Sequence, residues 1–500
     1  MANDEILEIA KRRGFFWPSF EIYGGCAGFY TYGPLGSLLK LRVEQALREH
    51  YVNHEGCIPM EAPTLTVEAP WVASGHVKSF TDMIIECSKC GEPYRADHLL
   101  EEKTKKATEG FSLSQVKEHI KKERIRCPKC GGGLDEIYAY NLMFKTQIGP
   151  GKNKAVGCLR PETAQTTYMP FRRLYELGRK KLPLGVIQIG KSFRNEISPR
   201  QGLIRLREFS QAEVQFFVDP EQKAKHAKFD SVKRRQLVVL TKHDQVENRK
   251  ENAMEVGDLV KKKLTIEPIA YFLALSVELF RKMGIDGSRL RCRQHRDDER
   301  SFYSSDTWDV EYMSDMSGKI ELVGIADRTD YDLKRHQELS KQDMNVNIEG
   351  RKFVPHVIEV AYGIDRPVYS ILESSMKKDG DRVYFSFPPA VAPYQIAVFP
   401  LVRKDGLPEK AREIYEMLLE AGFYVLYDEG FIGKLYYRQD EAGTPFCVTV
   451  DYDTLKAEDV TVRHRDDQKQ IRVKVKCLPE VLGKLMKRQM EFGKAGKPVR

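Results

Sequence analysis

Seven charged residues crowd one short stretch, SFRNEISPRQGLIRLREFSQAEVQFF (192–217), among them Arg194, Glu196, Arg205, Arg207 and Glu213. Side chains alternate faces along a strand. In VIQIGKSFRNE (186–196), Gln188, Ser192, Arg194 and Glu196 therefore share one face, and Ile187, Ile189 and Phe193 the other. In LIRLREFSQAEVQFFV (203–218), Arg205, Arg207, Phe209, Gln211, Glu213 and Gln215 line one face. The opposite face carries Ile204, Leu206, Ala212, Val214, Phe216 and Val218, broken by Glu208 and Ser210. The pattern predicts a hairpin with an apolar back and a front of arginines, carboxylates and one aromatic. Charged groups are seldom buried unless they are paired or hold a ligand. A single hairpin of this kind is most simply a half-exposed sheet with a solvated face, but similar faces recur. Arg160 and Glu162 share a face in LRPETAQ, and Glu359 in HVIEVAYGIDR leads through a Gly-containing turn to Arg366. Arginines neutralise phosphate, an aromatic stacks on a base and acids hold a metal ion, so the front suits a nucleotide. Phosphate binding through a Gly-rich loop before a helix is not expected.

A second set of candidate residues is Cys87, Cys90, Cys127 and Cys130, in CSKC and CPKC. Four thiolates at zinc-ribbon spacing predict a closed, structural Zn²⁺ site, although 36 residues separate the two pairs. Two unliganded pairs are the alternative. The other cysteines (26, 57, 158, 292, 447 and 477) are scattered, which excludes a disulfide framework and suggests a reducing, cytoplasmic setting.

These residues must be held by a chain of 500 residues, long enough for two or three domains. At 41% hydrophobic and 31% charged it reads as a soluble globular protein. The opening MANDEILEIAKRRG is an amphipathic helix pattern. The longest apolar run, IAYFLALSVELF (269–280), is too short to span a bilayer and reads as a core helix, so no membrane partner is expected. A net charge of +9 permits a polyanionic partner.

GSLLKLRVEQALREHYV (36–52) has Leu39, Val43, Ala46, Leu47 and His50 at helical spacing, followed by a strand-like CIPMEAPTLT. A Lys-rich insertion (86–132) carries the cysteine pairs, and a second Lys-rich, helical stretch covers 219–285. FPPAVAPYQ (387–395), with Pro388, Pro389 and Pro393, marks a domain boundary. Beyond it YQIAVFPLV, FYVLYDE and TPFCVTVDY read as strands and LPEKAREIYEMLLEAG and GKLYYRQDEAG as helices, which argues a small α/β domain. The reading is an α+β domain over 1–390, an α/β domain over 391–490 and a tail, 491–500.

FRNE with RLREF resembles motif 2 of the class II aminoacyl-tRNA synthetases, GIDRP resembles motif 3, and the helix ending in MEAPTLT, with Pro63, resembles motif 1. EIYGGCAGFYTYGPLG, YRADHLLEE, NLMFKTQIGP, LRPETAQ, GIADRTDYDL and YRQDEAGTPFCVTVD are similar to the glycine-specific branch, in its dimeric archaeal and eukaryotic type. The resemblance implies an α+β catalytic domain built on an antiparallel sheet, a zinc-ribbon-like insertion and a C-terminal α/β anticodon-binding domain. It implies activation of glycine with ATP to glycyl-adenylate and transfer to the 3′ end of tRNA(Gly). Arg194 would hold the α-phosphate, Glu196 lie near the adenine, and Phe209 stack on it opposite Arg366, which reaches the γ-phosphate. Arg207 would lie by the phosphates and Glu321 would help bind Mg²⁺. Arg328 would lie at the glycine end, with Glu162, Glu213 and Glu359 around the ammonium. Arg194, Arg366 and Glu321 are thus the catalytic candidates. Arg200, at the motif 2 turn, and Arg438, Arg463 and Arg465 in the last domain are candidates for tRNA, and the motif 1 helix implies a homodimer.

The family's VIEPSFG is here VIEVAYG, which places Ala361 where a serine is usual, and DEMAHYA is DERSFYS, which puts Phe302 in place of a histidine. A non-catalytic, nucleic-acid-binding relative would show an eroded ATP set, yet Arg194, Glu196, Phe209, Glu321 and Arg366 are all present. A sister enzyme for proline, threonine or serine would need room for a side chain.

Overall fold

A computed structural model describes residues 2–104, 108, 111–152, 154–197, 199, 202–301 and 303–499; Arg200 and Phe302 lie outside the described residues. The N-terminal helix α1 (Ala2–Arg13) buries Ile6, Ile9 and Ala10. Helix α2 (Pro34–Glu49) opens on a proline, whose fixed φ suits the first helical position, and buries Leu39, Val43 and Leu47.

The expected sheet has nine strands: β1 (Ile58–Met60), β2 (Leu184–Phe193), β3 (Glu208–Val218), β4 (Gln236–Leu240), β5 (Asn252–Glu255), β6 (Leu290–Gln294), β7 (Asp306–Ser314), β8 (Gly318–Thr329) and β9 (His356–Gly363). Their order is β5-β4-β6-β7-β8-β9-β3-β2-β1, antiparallel except for the β1–β2 and β4–β6 pairs. Ala212, Val214 and Phe216 of β3, Val323 and Ile325 of β8, and Ile358 and Val360 of β9 form its apolar back. Against this back lies α3 (Glu267–Lys282), the apolar run noted above, with Ile269, Leu273, Val277 and Phe280 buried. Each such side chain contributes about 1.5–3 kcal/mol of burial. The opposite face of the same strands is left for polar residues.

The stretch 219–285 is not simply helical: its β-branched run QLVVL forms β4, which pairs with β5 and extends the main sheet. Among the described residues no helix is long and apolar enough to cross a membrane. The cysteine-bearing segment is a three-stranded sheet (Thr81–Glu86, Pro93–Arg95 and Tyr138–Asn141) with two helices, Ala96–Thr104 and Leu113–Lys122. Those helices occupy the long gap between the cysteine pairs. They pack Leu99, Leu100, Val116 and Ile120 against Ile85 and Ile137.

Helix α4 (Asp365–Ser375) follows β9 directly. The C-terminal domain contains β10 (Ile396–Pro400), α5 (Leu407–Glu420), β11 (Val425–Tyr427), α6 (Ile432–Ala442), β12 (Phe446–Val450), β13 (Asp459–His464), β14 (Gln470–Lys474) and α7 (Leu478–Met486). Its sheet order is β11-β10-β12-β13-β14, parallel over the first three strands and antiparallel beyond. The presumed tail is part of this sheet, since Lys497 and Pro498 pair with Arg472 and Ile471.

Buried ion pairs join the two domains. Glu441, with a fully buried side chain, takes Arg12 at 2.6 Å and also Arg13 from α1. Asp440 takes Arg382 across the boundary at 2.7 Å, and Arg463 of its own domain at 2.8 and 3.0 Å.

Candidate active site

The polar face of β3, β8 and β9 opens into a cavity of about 250 Å³. Glu162, Arg194, Glu196, Phe209, Glu213, Glu321, Arg328, Glu359 and Arg366 all line it. Sheet register gathers them from distant segments: Glu213 stands opposite Ala361, Gln215 opposite Glu359, and Glu359 in turn opposite Ala326.

At one end lie the carboxylates. Arg328, 2% exposed, is clamped by Asp332 at 2.7 and 3.0 Å and reaches both oxygens of Glu359, at 3.2 and 3.1 Å. Its guanidinium packs 4.0 Å from the centre of the Tyr303 ring. Glu162 accepts from Gln165 at 3.0 Å and has His76 at 3.5 Å. Burial opposes its ionisation, but His76, Arg328 and the Gln165 amide outweigh it and hold Glu162 well below the usual carboxylate range. Burial pushes Glu359 up, helped by the charge of Glu162, against Arg328. Glu213 is 2% exposed and its Oε2 has no hydrogen-bond partner. Burial, with the charges of Glu359 and Glu162, pushes its pKa up to about 8.

The arginines lie at the other end. Arg194 follows the last residue of β2; its Nε donates to the carbonyl of Pro161 at 3.2 Å, and its guanidinium lies 5.3 Å from the centre of Phe209. Arg366 sits in the first turn of α4, where Asp365 anchors the helix to β3 by accepting from the Ser210 N–H at 2.6 Å and from the Tyr32 hydroxyl at 2.6 Å. Arg366 donates to the carbonyls of Ile204 at 3.1 Å and Glu321 at 3.0 Å, and lies 3.4 Å from the Glu321 carboxylate. Crowding in the cleft works against ionisation of Glu321, yet Arg366, His295 and Arg194 hold it below its usual range.

Arg207 departs from its expected place. The chain joins the ladder only at Glu208, so the period-two reading does not extend to residues 203–207. The Arg207 guanidinium bonds the carbonyls of Glu196 (3.1 Å) and Ala27 (2.6 Å), and it is Arg205 that lines the cavity. Arg160 and Glu162 also part company. Arg160 is buried as a strut to Gln188, Lys191 and Ala62, beneath Gly190, where an added Cβ would stand 2.2 Å from its Nη2. The octet GVIQIGKS (185–192) fits the GxxxxGK[ST] spacing letter for letter, but it is strand β2, paired residue by residue with β3, and no phosphate loop.

Asp309, His295, Tyr303 and Gln165 had not been singled out. Asp309 accepts from His295 at 2.7 Å and from Arg293 at 3.1 Å. A Cβ built on Gly324 would stand 3.7 Å from one Asp309 oxygen and 3.9 Å from one Glu321 oxygen, so both carboxylates flank the same spot. Mg²⁺ is usually held by one or two carboxylates together with substrate phosphates, and this pair fits it. The signal for Asp309 and His295 is an alternation of cations, Arg291, Arg293 and His295, of which Arg291 and Arg293 stand opposite Glu311 and Asp309 across an antiparallel pair.

The four cysteines converge: their sulfurs lie within 4.8 Å of one another, with Cys87–Cys130 at 3.5 Å and Cys90–Cys127 at 3.7 Å. Thiolates about 2.3 Å from a tetrahedral Zn²⁺ stand about 3.8 Å apart, so the set fits zinc. In the C-terminal domain, Arg438 is half-exposed and paired with Asp428 at 2.6 Å. Arg463 and Arg465, expected to face RNA, are instead 4% and 2% exposed, because VRHR lies against α6 and the neighbouring domain.

Residues 144–375 match the tRNA synthetase class II core domain (G, H, P, S and T), and residues 395–485 match an anticodon binding domain. The fold is that of a class II tRNA synthetase. The chain is 42% identical to the glycine–tRNA ligase of Methanocaldococcus jannaschii, over 97% of this chain and 99% of that protein. It is 41% identical to the enzymes of the same name from Methanothrix thermoacetophila (99% of each chain) and Thermococcus sibiricus (97% and 98%). The chain belongs to the glycine–tRNA ligase family.

Proposed function

We infer that this protein activates glycine with ATP and joins it to tRNA(Gly). The observation that carries the reading is the two-ended cavity, with a buried carboxylate that has one oxygen unpartnered at one end and arginines around Phe209 at the other. Glycine offers an ammonium and a carboxylate but no side chain. Three carboxylates hold the ammonium by charge-assisted hydrogen bonds, and Arg328, fixed by Asp332, sets their geometry. Larger amino acids are excluded by bulk, the easier direction of discrimination, so no editing domain is required.

Arg194 holds the α-phosphate and Arg366 the γ-phosphate, with the adenine between Phe209 and the Arg366 guanidinium. Arg205 takes the place by the phosphates first expected for Arg207. Magnesium held by Glu321 and Asp309 would offset phosphate charge. The glycine carboxylate attacks the α-phosphorus in line, giving glycyl-adenylate and pyrophosphate. Both ends supply position and charge rather than proton transfer, and no residue serves as general base. The adenylate carbonyl is then attacked by the terminal ribose hydroxyl of tRNA, and Arg438, on the anticodon-domain surface, is a candidate contact for the tRNA.

Structural zinc on Cys87, Cys90, Cys127 and Cys130, a cytoplasmic location supported by ten free cysteines, and a homodimer through α2 complete the reading. Amino-acid-dependent ATP–pyrophosphate exchange tests it: exchange with glycine, and none with alanine, serine, proline or threonine, is expected. Exchange with no amino acid would leave a non-catalytic binding protein.

A further inference from the structure

The carboxylate end holds more negative charge than its cations balance. Arg328 is used up by Asp332 and Glu359. Glu162 has His76 at 3.5 Å and the Gln165 amide at 3.0 Å. Arg160, the other arginine near the site, gives its Nε and Nη1 to Gln188 and the carbonyls of Lys191 and Ala62.

Among the three acids Glu213 alone is in no close ion pair; Arg160 and Arg328 act on it through space, and the Thr163 hydroxyl is its near polar neighbour. Across β9 it meets Ala361, with Glu359 beyond; across β2 it meets Gln188, which bonds Arg160, Thr163 and Thr167. Glu162 faces it from the segment before the helix Ala164–Tyr168, and Arg328 faces it from β8. Tyr168 and Tyr303 lie on Arg328 at 5.6 and 4.0 Å and bring no positive charge. A bare carboxylate oxygen, buried and beside two other carboxylates, is a costly arrangement, and a proton relieves it.

We propose that Glu213 carries a proton until the amino acid arrives, and that the incoming ammonium displaces it, so that each glycine bound releases one proton to solvent. This deepens, and rests on, the reading of the pocket as a glycine site. The step is balanced: the carboxyl O–H bond breaks, its proton leaves to buffer, and an N–H of the ammonium donates to the carboxylate that remains. The pocket is thereby neutral enough to stay folded around its acids, and it becomes fully anionic only with a cation inside.

The sign follows from the raised pKa of about 8. Apparent affinity for glycine rises about tenfold per pH unit below pH 7 and levels off above pH 8, because only the ionised form accepts the ammonium. Proton release is ~0.9 per glycine at pH 7 and ~0.25 at pH 8.5.

Calorimetric titration of glycine into the full-length protein, in phosphate, HEPES and Tris, measures this directly. The slope of observed heat against buffer ionisation enthalpy is the number of protons released. A slope near one at pH 7 that falls at pH 8.5 is the expected result, with E213Q giving no slope at either pH. A zero slope at pH 7, an unchanged slope at pH 8.5, or a full slope retained by folded E213Q would overturn the inference. Should E213Q not fold, the two pH values on the unaltered protein still decide. Heat without buffer dependence sinks the inference alone, whereas no glycine heat in any buffer sinks the proposed function with it.

Discussion

Replacing Arg366 by alanine separates the two ends of the cavity. The side chain holds the Ile204 and Glu321 carbonyls and lies 3.4 Å from the Glu321 carboxylate. It is assigned both a phosphate contact and one face of the adenine. A charge-assisted hydrogen bond contributes about 1.5–3 kcal/mol, and a guanidinium over an aromatic face adds about 0.5–1 kcal/mol. A net loss of ~2–3 kcal/mol, at about 1.4 kcal/mol per tenfold, corresponds to a fall of roughly 30- to 150-fold in glycine-dependent exchange. The loss is expected in KM for ATP and in kcat, with KM for glycine within about twofold, because Arg366 touches none of the acidic residues around Glu213. Lysine at the same position keeps the charge but neither the plane nor the fork, and is expected to fall between parent and alanine. Exchange within threefold of the parent, or a loss confined to KM for glycine, would refute the assignment of Arg366 to the nucleotide.

Arg463→Ala leaves Asp440 buried with Arg382 alone, and is expected to cost about 3–5 kcal/mol in urea unfolding; a loss under about 1 kcal/mol would show that the pair does not brace the C-terminal domain. Arg438→Glu is expected to weaken tRNA binding and lower its salt dependence while exchange stays unchanged, and equal tRNA affinity in parent and variant tells against this surface. Elemental analysis should find roughly one zinc per chain. Cys90→Ser should lose it and make the segment 81–141 protease-sensitive, and a metal-free parent of equal protease resistance would remove zinc from the account.

Much of this architecture was legible because burial and period two act locally. Ala212, Val214 and Phe216 had to face a core, and Gln211, Glu213 and Gln215 were thereby turned the other way. The same logic placed the strands and helices of the C-terminal domain. It failed where a charge run has two outcomes. VRHR in β13 reads as a solvated basic patch, yet Asp440 and the adjoining domain draw Arg463 and Arg465 inside. QLVVL, set among lysines, reads as part of a helical stretch; only the edge of a sheet built from distant residues gives β4 its partners.

Arg205 and Arg207 show the limit most plainly. Both lie on one face of an ideal strand, and nothing local distinguishes them. The distinction comes from residues 26–28, about 180 positions earlier. The Arg207 N–H donates to the Gly28 carbonyl at 2.9 Å, its guanidinium takes the Ala27 carbonyl, and its own carbonyl accepts from the Arg194 N–H at 2.9 Å. These bonds satisfy the backbone outside the β2–β3 ladder, so alternation stops at Glu208 and Arg205 alone turns into the cavity. The same contacts brace Arg194 against the loop that leads into α2. Arg207 therefore serves the nucleotide end by holding the backbone of Arg194 in place, with its Nε and Nη1 engaged by main-chain carbonyls rather than turned into the cavity.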